Sequence, residues 1–540
     1  MATVAQVMVQ SLKELGIKYI FGVPSGNWVD FLTAIQRTED IEFILVSNEG
    51  SAGFMADVCW RLTGQPAACF GTFGPGACNL TTGVSGGYLD RAPMIAFTDE
   101  MNDAMLPRIA QMNIDHQTLF KPITKWTTRL KQGKVKEILY KAFEIATSEV
   151  PGPVHVGLPS GIGSLENPDE PEMTLNIPKI PEVDDSVLDK VAAVLSKAKK
   201  PVVALGITAV RSGVRDLVIE FVEKFNIPVV LTPMAKGMLP EDHSCYAGVL
   251  NHALGPQVGV THQQADLIVG IGFDPVEINY EDWIPNVPVV HIDTTPADLD
   301  LKTHTLACDV VGELNSSVKR LIAKTEGKTE WALEELVQRK EKMFSELTAE
   351  HGHFGAVTVL NGLREILPQD GIMTCDVGAH LHLIGQHWKT GTPECQLMTN
   401  GCSSMGFAIP TAIAAKLSVP EKQVCCVVGD GGYYMMAGEM ATAMRNNLHV
   451  VFVVMIDASL SLIRIKQKSK NHDEYGVELN ESIQKHGAPG SLFGVPVLTV
   501  KNKEQYSQAL KTAFSADGPI IIEALIDTKD YDNLVLKGNK

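Results

Sequence analysis

Short apolar runs alternate with longer segments of helical periodicity along most of the chain. Examples of these runs are IKYIFGVP, PVVALG and VCCVVGDGG, which begin at Ile17, Pro201 and Val424. The apolar residues are consecutive and do not alternate with polar ones, as expected for strands that are buried on both faces. We therefore predict an α/β fold in which doubly wound parallel sheets carry helices on both sides.

Two changes in composition divide this pattern into three parts. The first is the proline-rich and acidic stretch 164–186, and the second is the highly charged helical stretch 319–352. A chain of 540 residues is also too long for one hydrophobic core. We predict three domains, covering residues 1–168, 186–325 and 350–535.

Charge and cysteine content exclude several classes of protein. The net charge of −17 argues against binding to nucleic acid or to an anionic membrane. The chain shows no apolar run long enough to span a bilayer and no leader-like start. Its ten cysteines form no CxxC pair, which favours reduced thiols and a cytoplasmic location.

The strongest chemical signal is a pair of aspartates in the third part. Asp430 follows the run VCCVVG, and Asp457 ends the next run, LHVVFVVMI. The segment between them, YYMMAGEMATAMRNN, has the pattern of a helix, so a right-handed crossover would bring both aspartates to one sheet edge. Two carboxylates at that edge favour Mg²⁺, with the Ser459 carbonyl as a third ligand.

The glycines around the first aspartate point to the ligand of this metal. Gly429, Gly431 and Gly432 would let backbone N–H groups approach phosphate oxygens at a helix N-terminus. A GDGG sequence alone occurs in many turns. Together with the crossover and the second aspartate, it predicts a metal–diphosphate site.

With this motif the chain resembles the thiamine diphosphate enzymes of the acetolactate synthase and pyruvate decarboxylase superfamily. The resemblance covers nearly the whole chain, in the order pyrimidine-binding, central Rossmann-like and diphosphate-binding domain. It implies that thiamine diphosphate and Mg²⁺ are the cofactors. Asp457, where many members have Asn, resembles the catabolic acetolactate synthases.

The same resemblance assigns further cofactor contacts. Glu49, at the start of a predicted helix, matches the glutamate that contacts N1′ of the aminopyrimidine and is the expected catalytic residue; by itself it could be an ordinary helix-start acid. Met405 matches the residue that bends the cofactor. The full set of expected cofactor contacts is Glu49, Gly378, His380, Ser403, Met405, Gly429, Asp430, Gly431, Gly432, Asp457 and Ser459, with Asp430, Asp457 and Ser459 on the metal.

A turn in the first domain carries the implied assembly. Gly74, Pro75, Gly76 and Asn79 match a turn that lines the partner subunit's active site in the family. Glu49 and the metal motif of one complete site would then belong to different chains. A homodimer is the expected minimum, and a homotetramer is common among relatives.

The implied reaction is decarboxylation of pyruvate, followed by attack of the hydroxyethyl carbanion on a second 2-keto acid to give 2-acetolactate. Substrate contacts are expected at Gly26, Phe73, Glu100, His116, Gln117 and Leu462. His116 and Gln117 are a candidate proton-transfer pair, although His116 could equally cap a helix.

Two departures from the family leave alternatives open. Asp99-Glu100 stands where relatives have Gly-Gln, and a free acid there would repel a keto-acid carboxylate. Another thiamine diphosphate decarboxylase, aldehyde lyase or carboligase is therefore the alternative, whereas a non-catalytic protein is opposed by Glu49. The segments ALGITAVRSG and GVLNHALGP match the flavin-binding stretches of biosynthetic relatives only weakly, so FAD is not favoured.

Overall fold

The computed structural model describes residues 1–479 and 490–535. It contains three parallel-dominated sheets with helices, which confirms the predicted α/β class. Alternate residues of a strand enter different cores. In the first sheet Phe21 packs on one side, while Ile20 and Phe70 pack on the other. Both faces are buried, and this explains the uninterrupted apolar runs.

The first sheet has six parallel strands in the order β2-β1-β3-β4-β6-β5. Its strands are β1 (Tyr19–Gly22), β2 (Glu42–Leu45), β3 (Ala67–Gly71), β4 (Met94–Glu100), β5 (Trp126–Arg129) and β6 (Val154–Pro159). Its helices are α1 (Val4–Glu14), α2 (Val29–Gln36), α3 (Glu49–Thr63), α4 (Pro75–Leu89), α5 (His116–Phe120) and α6 (Val135–Thr147).

The second sheet also has six parallel strands, in the order β12-β11-β10-β7-β8-β9. Its strands are β7 (Pro201–Leu205), β8 (Val229–Leu231), β9 (Tyr246–Val249), β10 (Leu267–Ile271), β11 (Val289–Asp293) and β12 (Leu306–Val311). Its helices are α7 (Asp185–Leu195), α8 (Ile207–Arg211), α9 (Arg215–Phe225), α10 (Gly255–His262) and α11 (Leu314–Lys324), and α12 (Leu333–Thr348) leads to the third sheet.

The third sheet has seven strands in the order β14-β13-β15-β16-β19-β18-β17, of which β17 pairs antiparallel. Its strands are β13 (Ile372–Cys375), β14 (Gln396–Leu397), β15 (Val424–Gly429), β16 (Val450–Ile456), β17 (Ser491–Leu492), β18 (Val495–Val500) and β19 (Ile520–Leu525). Its helices are α13 (Ala356–Ile366), α14 (Ala379–His387), α15 (Ala408–Ser418), α16 (Asp430–Met436), α17 (Met440–Arg445), α18 (Ser461–Ser469) and α19 (Lys503–Phe514).

The crossover between β15 and β16 is not the single helix that the sequence predicts. α16 ends at Met436, a 3-10 turn covers 437–439, and α17 begins at Met440. The break brings the buried carboxylate of Glu439 to the backbone of the first domain, where Oε1 accepts from the N–H groups of Ser47 and Asn48, both at 3.0 Å. A tertiary contact therefore overrides the helical pattern.

The first and third domains share one apolar core. Phe54 of α3 meets Phe407, which precedes α15, with ring centroids 5.6 Å apart, and the Tyr19 hydroxyl donates to the Leu417 carbonyl at 3.0 Å. α3 also lies against α4 without intervening side chains, because a Cβ on Gly53 would come within 2.4 Å of the backbone of Gly83. The N-terminus of α3 is therefore held from two sides.

All ten cysteines are free, and seven of them are buried, as their apolar surroundings predict. Among the described residues, the model contains no helix with the length and apolar character needed to cross a membrane.

Candidate active site

Asp430 and Asp457 meet at one edge of the third sheet. β15 and β16 are neighbouring parallel strands, with Gly429 opposite Met455, so the residues that follow both strands emerge together. The Asp430 carboxylate accepts from the backbone N–H groups of Asp457 at 3.2 Å and Ala458 at 2.8 Å. The structure therefore brings together the two aspartates that the sequence pairs.

The two neighbouring carboxylates of Asp430 and Asp457 favour the binding of a cation at this edge. Burial and the neighbouring negative charge of Asp457 raise the pKa of Asp430 to about 7. Burial also raises the pKa of Asp457, although the Ser461 hydroxyl donates to it at 2.7 Å. A divalent cation would remove this repulsion. Asp430 Oδ1 and the two carboxylate oxygens of Asp457 each accept a single hydrogen bond, so each keeps a lone pair for it. The residues present therefore fit Mg²⁺.

The loop that carries Asp457 has an unusual backbone. Ala458 has φ of +58°, a left-handed conformation that non-glycine residues seldom adopt. Ser459, whose backbone carbonyl is the third expected ligand, also has a buried hydroxyl that makes no hydrogen bond within the described part of the chain. Strained backbone and an unsatisfied polar atom beside two carboxylates are typical of a ligand site.

The glycines after Asp430 have specific neighbours. A Cβ on Gly431 would lie 2.7 Å from Cε of Met405, and a Cβ on Gly432 would lie 1.7 Å from a carboxylate oxygen of Asp376. Met405 therefore packs against the diphosphate motif. Ser403 is exposed in the turn before Met405, with φ of +50°, and its hydroxyl donates to the Asn400 carbonyl at 2.7 Å.

Asp376 connects two parts of the candidate site, and sequence reasoning gave it no role. It is fully buried at the end of β13 and accepts from the N–H groups of Gly406 at 3.1 Å and Ala408 at 3.2 Å. Burial raises its pKa to about 6. Its carboxylate joins the segment that carries Met405 to the glycines after Asp430. Its position at a strand end, next to the expected contact Gly378, was the only signal in the sequence.

His380 offers an unpaired nitrogen next to the glycine loop. Its ring packs against two glycines. A Cβ on Gly378 would lie 2.7 Å from Cε1 of His380, and a Cβ on Gly429 would lie 3.1 Å from the same atom. Nε2 is buried and has no partner among the described residues, and burial lowers the pKa of the ring to about 4. In the tautomer that carries its proton on Nε2, the neutral ring would donate to a diphosphate oxygen as the missing acceptor.

Glu49 begins α3 and is buried. The side-chain amide of Asn79, on α4, donates to its Oε2 at 3.0 Å. Gly76 lies in the turn before Asn79. A Cβ at this position would lie 3.1 Å from Glu49 Oε1, so the glycine leaves space beside that oxygen. The predicted turn from Gly74 into α4 is present, and it holds one carboxylate oxygen while leaving room at the other.

Five of the six expected substrate contacts lie at the carboxyl edge of the first sheet. Gly26 follows β1, Phe73 follows β3 and Glu100 ends β4, while His116 and Gln117 open α5. Leu462 is in α18 of the third domain. His116 does not cap its helix, because Asp115 does so; its ring is buried and meets the Thr98 hydroxyl at 2.9 Å.

Asp99 and Glu100 are not free acids. Asp99 accepts from Ser25 at 2.5 Å, Asn27 at 2.8 Å and Thr72 at 3.1 Å, so it fixes the loops after β1 and β3. Glu100 accepts from the Arg129 guanidinium at 2.7 Å. Burial raises the pKa of both carboxyl groups. Hydroxyl, amide and guanidinium donors thus remove most of the expected repulsion of a substrate carboxylate.

The central domain does not fit a flavin diphosphate. The N–H groups of Thr208 and Ala209 at the start of α8 already donate to the Gly272 carbonyl, at 3.1 and 3.4 Å. A Cβ on Gly272 would lie 2.1 Å from the Ala209 nitrogen, so this glycine serves a contact between two loops. Asp293 adds a buried carboxylate oxygen without a partner among the described residues, which would repel phosphate.

Known protein families cover most of the chain. Residues 2–119, 188–321 and 376–524 match the thiamine pyrophosphate enzyme N-terminal TPP binding domain, central domain and C-terminal TPP binding domain, respectively. These are the three domains, in the order that the resemblance implies.

Individual relatives match along nearly the whole length. The acetolactate synthase of Bacillus subtilis (strain 168) is 27% identical, over 98% of this chain and 94% of its own. The acetolactate synthase large subunit of Lactococcus lactis subsp. lactis (strain IL1403) is 28% identical, over 98% and 93%. The acetolactate synthase isozyme 1 large subunit of Escherichia coli (strain K12) is 28% identical, over 98% and 94%. With its aspartate pair, glycine loop and buried glutamate, the chain belongs to the thiamine pyrophosphate enzyme family.

Proposed function

We propose that the protein decarboxylates pyruvate and joins the remaining two-carbon unit to a second 2-keto acid, releasing CO₂ and forming 2-acetolactate. The observation that carries this proposal is the near full-length similarity to acetolactate synthases in a chain that keeps both Glu49 and the aspartate pair. Identity of 27–28% supports this reaction more weakly than it supports the family.

The third domain would hold the metal and the diphosphate. Asp430, Asp457 and the Ser459 carbonyl would bind Mg²⁺, and His380 Nε2 would donate to a phosphate oxygen. The support is the mutual repulsion of the two aspartates and the unpaired His380 nitrogen. Met405, which lies against Gly431, would contact the rings of thiamine diphosphate and hold the cofactor in its bent conformation.

The first domain would act on the ring. When bound, thiamine diphosphate supplies the electron sink that lets a 2-keto acid lose its carboxylate. Glu49 would exchange a proton with ring nitrogen N1′ through Oε1, because Oε2 is held by Asn79. Burial of this carboxyl group excludes water from the exchange.

A homodimer would complete the site, and a homotetramer of two such dimers is the proposed assembly. Apolar side chains are exposed on the segments around the cofactor motifs: Tyr434 at 45% and Met435 at 59% on α16, and Ile463 at 44% on α18. Exposed apolar groups beside a site are typical of a surface that another subunit covers. The fit of Glu49 from one chain to the metal motif of another follows from the family resemblance.

A second candidate is a decarboxylase or carboligase of the same family with another donor or acceptor. The observation that favours it is the pairing of Glu100 with Arg129 at the expected substrate end, since Asp99-Glu100 stands in place of the Gly-Gln of relatives. A substrate with an additional polar group could use such a pair.

Product analysis separates the two candidates. Holoprotein with saturating Mg²⁺ and thiamine diphosphate is given pyruvate alone, then pyruvate with a second keto acid or an aldehyde, and CO₂ and acetolactate are measured. We expect one CO₂ per acetolactate from pyruvate alone. CO₂ release with a different ligation product would favour the second candidate, and pyruvate turnover no faster than a protein-free control would contradict the proposal.

A further inference from the structure

A chain of buried and half-buried hydrogen bonds runs behind the expected substrate end of the first domain. It links six side chains, which we call the relay: Glu100, Gln117, Thr127, His155, Thr98 and His116. They come from β4, β5, β6 and α5 of the first domain. Because each hydroxyl has a single hydrogen, the direction of every bond in the relay can be worked out.

The direction is set at Gln117. One end of its amide lies 2.5 Å from Glu100 Oε1 and 3.1 Å from the Thr128 carbonyl. The Thr128 carbonyl can only accept, and the Glu100 carboxyl group accepts from Arg129 through its other oxygen at 2.7 Å. This end of the amide must therefore be the NH₂ group, and the other end is the carbonyl oxygen Oε1.

The next two bonds follow from that orientation. Gln117 Oε1 can only accept, so the Thr127 hydroxyl, at 2.8 Å, gives its hydrogen to it. Thr127 then has only a lone pair for His155 Nδ1, at 2.7 Å, and Nδ1 must carry the proton. In a neutral ring this leaves His155 Nε2 as an acceptor.

The hydroxyl of Thr98 links His155 to His116, and its hydrogen-bond roles fix which nitrogen of His116 carries the proton. Its hydroxyl lies 2.8 Å from His155 Nε2 and must donate to it. Its remaining lone pair faces His116 Nδ1 at 2.9 Å, so Nδ1 of His116 carries the proton. Nε2 of His116 is therefore unprotonated. This nitrogen makes no hydrogen bond with a described residue, and it is not fully shielded from solvent.

Both rings are neutral, as this reasoning requires. Burial lowers the pKa of His116 to about 4 and the pKa of His155 well below its usual range. His155 is fully buried and stacks on Phe120 with centroids 4.3 Å apart. The charged groups around His116 are Asp115, which opposes the shift, and the Glu100–Arg129 pair beyond Gln117.

A metal is the other chemistry that this cluster suggests. One ligand atom each from Glu100, His116 and His155 lies within 4.8 Å of the others. Both nitrogens of His155 are committed to threonine hydroxyls, however, and Glu100 is committed to Gln117 and Arg129. The observed contacts satisfy a hydrogen-bond relay without a cation.

We propose that the relay fixes His116 as the Nδ1–H tautomer and presents its Nε2 lone pair as a proton acceptor at the substrate end. This inference rests on the proposed function, because it assigns a role within the same site. The position supports it: the backbone of Met112, four residues before His116, lies 3.0 Å from the place of a Cβ on Gly74, in the turn that flanks Glu49.

The proton step is balanced within the site. The hydroxyl group on the joined two-carbon unit gives its proton to Nε2 as the unit is released from the cofactor: the new N–H bond forms, the electron pair of the O–H bond becomes the second bond of the product's keto group, and the ring carries the positive charge. The proton returns by the reverse step before turnover ends. Thr98, Thr127 and His155 are positioning residues, since they act through His116.

Thr127 gives the sharpest test, because Val matches its shape and Ser keeps its hydroxyl. Val suits a strand as well as Thr does, so folding should be retained. In Thr127→Val the direction of the relay is lost, and we expect kcat to fall about 10-fold or more while KM changes less than about 3-fold, since a wrong tautomer costs up to about 10⁴-fold in other enzymes. Thr127→Ser should restore most of the loss. Equal activity of Val and wild type, or an equal loss in Val and Ser, would overturn the proposal.

A second measurement does not depend on turnover. Magic-angle-spinning ¹⁵N spectra of the full-length protein labelled at histidine, compared with His116→Gln for assignment, report which nitrogen of His116 is protonated. We expect Nδ1–H in the wild type and in Thr127→Ser, and Nε2–H or a mixture in Thr127→Val. Nε2–H in the wild type would refute the tautomer. If the wild type failed to consume pyruvate, the proposed function would fall while these spectra still decided the relay.

Discussion

Individual carboxyl groups at the two ends of the site are held in different ways. Glu49 is fixed through one oxygen by Asn79, whereas Asp430 is fixed by backbone N–H groups of the loop that follows β16. The first arrangement leaves an oxygen free for proton exchange. The second leaves lone pairs for a cation and positions both aspartates before the cation arrives.

Glu49→Gln tests the proton exchange. The amide keeps the size and the contact with Asn79 but cannot exchange a proton as a carboxyl group does, so we expect kcat to fall about 10²- to 10⁴-fold. Thiamine diphosphate binding, measured by calorimetry, should change little. Glu42→Gln, at an exposed position in β2, is the matched control. Wild-type kcat in Glu49→Gln would remove the residue from the mechanism.

The raised pKa of Asp430, about 7, predicts that cofactor binding depends on pH. Below this pKa the carboxyl group holds a proton that the metal must displace, and above it the carboxylate is ready to bind. Affinity for Mg²⁺ and thiamine diphosphate should therefore rise from pH 6 to pH 8, with a limiting slope of about tenfold per pH unit below the pKa. Calorimetry in two buffers of different ionisation enthalpy should detect proton release at pH 6.5. Flat affinity and no proton release would contradict the metal assignment.

At the scale of elements, two features set the N-terminus of α3. Gly53 and Gly83 let α3 and α4 approach backbone to backbone, and Glu439 receives the N–H groups that precede Glu49. The sequence offers small residues and an acid at these positions, but their partners are distant in the chain. Because Glu439 is placed there, the crossover is divided into α16 and α17 and is not one continuous helix.

Gly83→Ala tests the helix contact. The new Cβ would lie 2.3 Å from the Gly50 carbonyl oxygen, so α3 and α4 must separate. We expect the free energy of unfolding to fall by about 1–3 kcal/mol, seen as a lower urea midpoint. Gly391→Ala is the matched control, since its nearest neighbour would be 4.0 Å away. Equal midpoints for the two variants would show that the helices tolerate the extra methyl group.

The central sheet predicts the spectrum of the purified protein. Since the α8 N–H groups are already bonded to Gly272 and a buried acid lies at Asp293, the protein should show no flavin absorbance in the visible range. Addition of FAD should leave thermal stability unchanged, because a ligand stabilises only the state that it binds. A stoichiometric yellow cofactor would contradict this reading of the central domain.

At the scale of the whole molecule, the first and third domains share a core within one chain, while apolar side chains around the cofactor motifs remain exposed. A two-fold symmetric dimer that used this surface would bury these side chains on both subunits. The proposed site then takes Glu49 from one chain and Asp430 from the other.

Mixing two inactive variants tests this assembly. Glu49→Gln and Asp430→Asn each disable every site in their own homodimer. After the subunits are exchanged, a heterodimer would contain one site with both groups intact, so about a quarter of wild-type activity should return in an equal mixture. Activity that stays at the level of the separate variants, with exchange verified by mass spectrometry, would place the whole site within one chain.

The sequence by itself determined the fold class and the meeting of the two aspartates at one sheet edge. Uninterrupted apolar runs require strands that are buried on both faces, and the β15–crossover–β16 pattern forces Asp430 and Asp457 to one edge. Short edge strands such as β5, β14 and β17 were not predicted, because they lack a long apolar run.

Only the tertiary structure decided contacts between distant segments. It gave Asp376, Glu439 and Asn79 their roles, showed that Asp99 and Glu100 are satisfied by donors, and set the direction of the relay to His116. Hydrogen bonds of this kind join residues that are tens to hundreds of positions apart. Periodicity reports which face of an element is buried, but it does not report which polar group a side chain will meet there.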